Sequence, residues 1–201
     1  MIADFYAVDV ETANQGRHSI CQIGIAAFRD GKMVDGWETL VNPREYFHWM
    51  NISIHGIRPE AVIHAPGWAE VFDVVSDRLE GAAVASHTAF DRGAMLGACE
   101  QAGLAPLAYG KWIDTCWMAR AAWPHLPNHK LPTLARHFGI VYKSHDALED
   151  ARVAGEVLAL ALTERGVSLA ELLATPKQSI TGFPKPVRTR VARPRRAKAA
   201  I

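Results

Sequence analysis

Three apolar runs at the start of the chain have the length and composition of β-strands. Residues 4–10, 19–28 and 33–41 are each dominated by apolar side chains, and the turn sequence Arg29-Asp30-Gly31-Lys32 separates the second run from the third. A short connection that contains glycine between two such runs is typical of a β-hairpin. We therefore expect an antiparallel meander that ends at Asn42-Pro43.

After this meander the apolar positions change to helical spacing, interrupted by short strands. Residues 44–57 are rich in aromatic side chains and are interpreted as irregular, and Pro59 is expected to begin a short helix. Helices are predicted over about 67–79 (with Val71, Val74, Val75 and Leu79 at helical spacing), 87–102, 115–122, 130–138 and 147–164, with strands at 82–86 and 111–115. Because strands that alternate with helices usually pair in parallel, we expect an α/β fold whose mixed sheet carries helices on both faces.

Charge divides the chain into two parts. Residues 176–201 contain eight Lys or Arg, four prolines and no Asp or Glu, whereas residues 1–175 contain 14 basic and 21 acidic residues. We interpret 1–175 as one domain and 176–201 as a basic, proline-rich tail that is expected to be disordered. The tail is expected either to attract nucleic-acid phosphates without sequence preference or to act only as a solubilising extension.

The composition argues against several classes of protein. Hydrophobic residues make up 49% of the chain, which is enough for a sizeable core, but no apolar run approaches the roughly 20 residues of a membrane span. Asp4 stands where a signal peptide would carry basic residues, so a cytoplasmic location is expected. Cys21, Cys99 and Cys116 lack C-x-x-C spacing, which argues against a disulfide framework or a zinc site and favours core positions.

Two acids stand at the end of the first predicted strand. Asp9 and Glu11 are two residues apart, so in a strand their side chains point to the same side. Two like charges held this close require either a shared proton or a cation between them. Carboxylate oxygens suit a hard divalent ion such as Mg²⁺ or Mn²⁺. The alternative is a strand end that turns into a solvated loop.

Two further acids come from distant segments. Asp91 follows a predicted strand at the start of a helix, where a carboxylate also complements the helix dipole without any further role. Asp150 lies one turn into the last predicted helix and shares a face with Val153 and Val157. A carboxylate on a packed face needs a partner.

The residues just before Asp150 suggest a cap and a base. Asp146 and Glu149 have the spacing of a capping box at the start of the last helix. His145 precedes this cap in a loop, and its ordinary pKa of about 6.5 suits general-base catalysis near neutral pH. An ordinary surface loop residue is the alternative for His145.

Four carboxylates from three segments would repel one another strongly if the fold brought them together without cations. With two divalent ions they would form a site for in-line attack on a phosphodiester. These segments resemble those of the DnaQ-like 3′–5′ exonucleases of the DEDDh type, a family related to the proofreading subunits of bacterial replicative polymerases. The matching motifs are Asp9-Val10-Glu11-Thr12, His87-Thr88-Ala89-Phe90-Asp91 and His145-x-x-x-x-Asp150, with further similarity at Gln22-Ile23-Gly24, Asn42-Pro43, Ile54-His55-Gly56-Ile57, Asp114-Thr115 and Lys130-Leu131-x-Thr133-Leu134-Ala135.

The resemblance covers roughly residues 3–165 and implies a ribonuclease H-like fold with a mixed five-stranded sheet flanked by helices. It implies that two Mg²⁺ or Mn²⁺ ions are held by Asp9, Glu11, Asp91 and Asp150, and that His145 takes the proton from the attacking water. The substrate would be nucleic acid with a free 3′ end, with single-stranded DNA favoured, and the product a 5′ nucleoside monophosphate. Contacts to the substrate are expected from Thr12, His87 and Phe90, with Trp49 and Phe47 as further stacking candidates whose alternative is core packing.

Other functions stay open at this point. One is an RNA 3′ exonuclease of the oligoribonuclease or tRNA-trimming type, and another is a non-catalytic adaptor for a polymerase or clamp. The intact acids argue against an adaptor, and a ribonuclease H-like endonuclease fits the His145-x-x-x-x-Asp150 element poorly. In the tail, Gln178 and Phe183 have a spacing similar to that of sliding-clamp-binding peptides, so a clamp or polymerase is a candidate partner.

Overall fold

The computed structural model describes residues 3–175, in which five strands and eight helices follow one another. The strands are β1 (Phe5–Thr12), β2 (Ile20–Arg29), β3 (Lys32–Leu40), β4 (Ala83–Ser86) and β5 (Lys111–Asp114). The helices are α1 (Trp49–His55), α2 (Pro59–Val62), α3 (Trp68–Leu79), α4 (Phe90–Gln101), α5 (Thr115–Ala122), α6 (Leu131–Phe138), α7 (Ala147–Arg165) and α8 (Leu169–Ala174). Within this part of the chain, no helix combines the length and the apolar character needed to cross a bilayer.

The strands form one mixed sheet in the order β3-β2-β1-β4-β5. The first three strands are the expected antiparallel meander, in which Phe5 of β1 lies opposite Phe28 and Glu11 lies opposite Gln22 of β2. Strands β4 and β5 run parallel to β1. The predicted combination of a meander with later parallel strands is therefore confirmed, and β1 lies at the centre of the sheet.

Helices cover both faces of the sheet, and alternation along β1 decides which side chains meet which helices. Phe5 and Ala7 belong to the core that includes α5, α6 and α7, whereas Val8 and Val10 belong to the core that includes α3 and α4. Because side chains alternate along a strand, Asp9 and Glu11 point to the same side as Ala7, toward α7.

Two glycines let α7 lie directly on β2. A Cβ at Gly24 would come within 2.3 Å of the backbone of Ala147, and a Cβ at Gly155 within 2.2 Å of the ring of Phe28. Gln22 adds a direct link, because its Oε1 accepts a hydrogen bond from the Ala147 N–H at 3.3 Å. The first turn of α7 is therefore fixed against the central strands.

The structure corrects the sequence-based expectations at several places. Residues 44–57, expected to be irregular, contain α1, whose N-cap His48 accepts from the Met50 N–H and whose C-terminal Gly56 has a φ of 77°. Helix α8 was not expected from the sequence. Val74 shares the helical spacing of the buried Val71, Val75 and Leu79 in α3, but it is itself exposed. The three cysteines are free and buried, as predicted.

Candidate functional site

Three distant segments converge on one cavity of about 360 Å³. The cavity is lined by Asp9 and Glu11 from β1, Asp91 from the first turn of α4, Asp150 from the first turn of α7, and His145 from the loop before α7. The fold thus brings together all five residues that the motifs singled out.

The two carboxylates of β1 share one side of the strand, as its alternation requires. Burial raises the pKa of Asp9 well above its ordinary range, and the charges of Asp91, Asp150 and Glu11 raise it further. Burial, followed by repulsion from Asp150 and Asp91, raises the pKa of Glu11 to about 8. Both pKa values show that the fold disfavours the ionised carboxylates when no cation is nearby.

Asp91 occupies a position where β1 has lost a strand partner. Strand β4 pairs with β1 only at Tyr6 and Ala7, and farther along β1 the Oδ1 of Asp91 accepts a hydrogen bond from the Val10 N–H at 3.2 Å. The residue is only 4% exposed, and its burial raises its pKa to about 7 despite hydrogen bonds that lower it. The carboxylate therefore completes the hydrogen bonding of β1 while facing the other acids.

Asp150 holds the loop that carries the candidate base. Its Oδ2 accepts a hydrogen bond from the His145 N–H at 2.6 Å, and His145 has the left-handed backbone conformation, with a φ of 63°. Burial raises the pKa of Asp150 to about 6. The imidazole is half exposed, and its Nδ1 lies 3.6 Å from Oε1 of Glu11. His145 can therefore both face the acids and exchange protons with solvent.

The helix cap next to this loop is only half of the expected capping box. Asp146 is the N-cap of α7, and its side chain accepts from the Glu149 N–H at 3.5 Å. The Glu149 carboxylate does not return to the cap; it pairs with Arg152 at 2.8 Å. Arg152 also pairs with Glu156, so a row of charges on α7 satisfies Glu149 outside the cavity.

The donor set of the cavity fits a hard divalent cation. One ligand atom from each of Glu11, His145 and Asp150 lies within 4.8 Å of the others. The raised pKa values of the buried acids mean that ionising the cluster near neutral pH requires a compensating positive charge. Carboxylate oxygens are the ligands that Mg²⁺ and Mn²⁺ prefer.

Helix α1 supplies polar residues to the cavity that were not assigned a role from the sequence. Asn51 donates from Nδ2 to the carbonyl oxygen of Thr12 at 2.8 Å, and Nε2 of His55 lies 3.2 Å from the same oxygen. Thr12, Asn51, His55 and the exposed Ile54 all line the cavity. Similarity at Ile54-His55-Gly56-Ile57 marked this segment, but no signal in the sequence pointed to Asn51.

The aromatic and imidazole candidates differ in how available they are. His87 lines the cavity, but its Nδ1 lies 3.0 Å from Thr115 Oγ1 and its Nε2 lies 2.8 Å from the His129 carbonyl oxygen, so both nitrogens have protein partners. Phe90 lines the cavity and is 39% exposed, and Trp49 is 70% exposed. Phe47 packs partly buried in a small cluster around Cys21. The clamp candidates Gln178 and Phe183 lie outside the described residues.

Comparisons of the sequence point to exonucleases. The exonuclease family model RNase_T matches residues 6–158. The PolC-type DNA polymerase III of Caldanaerobacter subterraneus is 30% identical over 158 residues, which are 77% of this chain and 11% of that protein. The corresponding protein of Lacticaseibacillus paracasei is 28% identical over 160 residues, 78% of this chain and 11% of that protein. The chain thus spans about a tenth of the length of these relatives.

Solved structures share the fold. Exonuclease X in complex with 5′ overhanging duplex DNA has a TM-score of 0.65 at 21% identity, covering 84% of this chain and 97% of that chain. The nuclease domain of 3′hExo, described as a DEDDh family member and bound to rAMP, has a TM-score of 0.67 at 18% identity, covering 81% and 93%. Exonuclease I has a TM-score of 0.72 at 16% identity, covering 86% and 42%. The expected ribonuclease H-like sheet flanked by helices is confirmed.

Proposed function

We propose that this chain, which belongs to the RNase_T family of exonucleases, is a 3′–5′ exonuclease that removes nucleotides one at a time from DNA 3′ ends as 5′ monophosphates. The observation that carries the proposal is the convergence of four carboxylates and one imidazole on a single cavity. Such a cluster is costly to a fold unless cations are bound, so a cation-dependent reaction explains why it is present. The cytoplasm is the proposed location.

The proposed metal site consists of Asp9, Glu11, Asp91 and Asp150, with two Mg²⁺ or Mn²⁺ ions. When bound, the ions would supply positive charge that polarises the terminal phosphodiester and stabilises the leaving 3′ oxygen. The chain keeps the carboxylates in place through protein hydrogen bonds, from the Val10 N–H to Asp91 and from the His145 N–H to Asp150. These contacts fix two of the four acids independently of any ion.

His145 is the proposed general base. Its half-exposed imidazole lies beside Glu11 in the cavity, so it can accept the proton of the attacking water and pass it to solvent. The backbone hydrogen bond to Asp150 keeps the loop at the cavity mouth. Thr12, His87 and Phe90 are proposed to contact the terminal nucleotide, with Phe90 stacking on a base through its exposed ring.

DNA is the proposed substrate because the sequence relatives are DNA polymerases. RNA is the competing substrate, since one structural neighbour is a 3′ exonuclease described in 3′-end-specific recognition of a histone mRNA stem-loop. A role in proofreading or repair is part of the DNA proposal.

The test is degradation of matched DNA and RNA oligonucleotides, each labelled at the 5′ end, with Mg²⁺, Mn²⁺ or EDTA. We expect a ladder that shortens from the 3′ end, faster on DNA, and no cleavage in EDTA. Asp9→Ala should abolish cleavage, and His145→Ala should lower kcat about 100-fold or more. Cleavage by Asp9→Ala at the wild-type rate would contradict the site, and faster cleavage of RNA would contradict only the substrate.

The segment 176–201 is proposed to assist binding through its positive charge. Its eight Lys or Arg oppose the acidic character of residues 1–175 and would attract phosphates without sequence preference. Truncation after Thr175 should weaken DNA binding and flatten its salt dependence if this is so. A sliding clamp or polymerase is the proposed partner of Gln178 and Phe183, and loss of clamp pull-down in Phe183→Ala is the expected result.

A further inference from the structure

The acidic character of residues 1–175 makes the binding of a polyanion a separate problem from its hydrolysis. These residues carry 21 acidic and 14 basic side chains. The exposed Arg44 is already paired with Glu70, and the partly buried Arg78 is paired with Asp35. Cations in the active cavity would act on the scissile phosphate. The next phosphate along the strand needs a positive group of its own, close to the cavity but outside the acidic cluster.

Arg17 has the required position. It lies in the loop between β1 and β2, is exposed, and its Cζ lies 5.7 Å from the centre of the Phe90 ring. Phe90 itself lines the cavity, so the guanidinium lies just beyond the cavity wall. Within residues 3–175 no carboxylate forms an ion pair with Arg17. Its charge is therefore not neutralised by the part of the protein that the structure describes.

Helix α4 contains a recess that receives this side chain. Phe90, Gly93 and Gly97 are three and four residues apart, so they lie on one face of the helix. A Cβ at Gly93 would lie 2.7 Å from Nη1 of Arg17, whereas a Cβ at Gly97 would meet the backbone of His18 at an ordinary 3.5 Å. The guanidinium thus rests between an aromatic ring and the bare backbone of Gly93, where it can donate outward.

We propose that Arg17, held against Phe90 and Gly93, binds the internucleotide phosphate that lies one nucleotide upstream of the scissile bond. This inference rests on the proposed function, because it takes the strand end to lie in the acidic cavity. A guanidinium held over the Phe90 ring, with its Cζ 5.7 Å from the ring centre, is positioned to hydrogen-bond a phosphate. Arg17 then acts as a binding residue that favours substrates with at least two phosphodiesters.

The test compares the dinucleotide TpT, which has only the scissile phosphodiester, with the trinucleotide TpTpT, which adds one upstream. The wild type should cleave the trinucleotide with a kcat/KM about tenfold higher, as expected for one charge-assisted hydrogen bond. Arg17→Ala should remove this preference by raising KM for the trinucleotide. On longer single-stranded DNA, Arg17→Ala should make the slope of log K against log salt concentration shallower by about 0.7. Lys32→Ala, which removes one positive charge at the start of β3, is the control and should keep the preference.

A second pair of variants tests the recess itself. Gly93→Ala places a methyl group against the flexible end of Arg17, so the protein should fold normally while the guanidinium moves away and the preference falls. Gly97→Ala makes the same change one turn later on the same helix face, without a close contact, and should keep the preference for the trinucleotide. An equal loss of activity on both substrates in Arg17→Ala, or an unchanged preference, would overturn this inference alone. A wild type that cleaves neither substrate with Mg²⁺ or Mn²⁺ would overturn the proposed function as well.

Discussion

Removing the charge of Glu11 should stabilise the metal-free protein although it destroys part of the active site. Burial and neighbouring acids raise the pKa of Glu11 from 4.5 to about 8. A carboxyl group whose pKa is raised in the folded state contributes nothing below about pH 4.5, where it is protonated in both states, and destabilises the fold increasingly up to about pH 8. At about 1.4 kcal/mol per pKa unit, the three pH units between 4.5 and 7.5 give Glu11 a destabilising contribution of about 4 kcal/mol near pH 7.5. Glu11→Gln removes this cost.

Thermal unfolding in EDTA, followed by circular dichroism, measures the effect. We expect the Tm of Glu11→Gln to exceed that of the wild type by roughly 8–16 °C near pH 7.5, and the difference to vanish near pH 4.5. Mg²⁺ should raise the Tm of the wild type more than that of the variant, because binding to the folded state stabilises it by mass action. A Glu11→Gln variant that melts at or below the wild-type temperature in EDTA near pH 7.5 would refute the electrostatic reasoning.

Three further substitutions test how the fold positions the site. Gly24→Ala should destabilise the protein by about 1–3 kcal/mol and weaken Mn²⁺ binding measured by calorimetry, because its methyl group would push away the backbone at Ala147. Gly155→Ala should destabilise the protein by a similar amount but keep its Mn²⁺ affinity. Weakened Mn²⁺ binding in Gly155→Ala with normal binding in Gly24→Ala would contradict this reasoning. His145→Gly should lower kcat about 100-fold or more. It should nevertheless raise the free energy of unfolding by about 1 kcal/mol in urea melts, because glycine adopts the left-handed backbone conformation of residue 145 without strain. A lower free energy of unfolding in this variant would argue against backbone strain at His145. Asp114→Ala removes the N-cap of α5 and should cost about 1 kcal/mol in the same urea melts, with an unchanged midpoint as the contrary result.

The acids of β1 could be predicted because alternation along a strand is a local rule. Asp9 and Glu11 had to share a side, and burial of Val8 and Val10 on the other side fixed which side faced α7. Asp150 followed from helical spacing in the same way. Their convergence with Asp91 depends on strand order, which no local pattern specifies, so it came from the family resemblance.

Helix α1 could not be predicted because it buries no residue. Hydrophobic periodicity arises from a packed face, and α1 has none, so its aromatic and polar residues gave no helical signal. Its contribution to the cavity, through Asn51 and His55, was therefore missed. The role of Gly24 was hidden for a related reason: a close approach between β2 and α7 is a property of two elements distant in sequence.

The most direct test of the central claim is the number of divalent ions that the acidic cavity binds. Calorimetric titration of the metal-free protein with Mn²⁺ near pH 7.5 should give two ions per chain for the wild type and a loss of at least one in Asp9→Asn, with the same chain still folded by circular dichroism. A wild type that binds no Mn²⁺, or an Asp9→Asn variant that binds Mn²⁺ as the wild type does, would contradict the account. In either case the carboxylates of Asp9, Glu11, Asp91 and Asp150 would not form a metal centre.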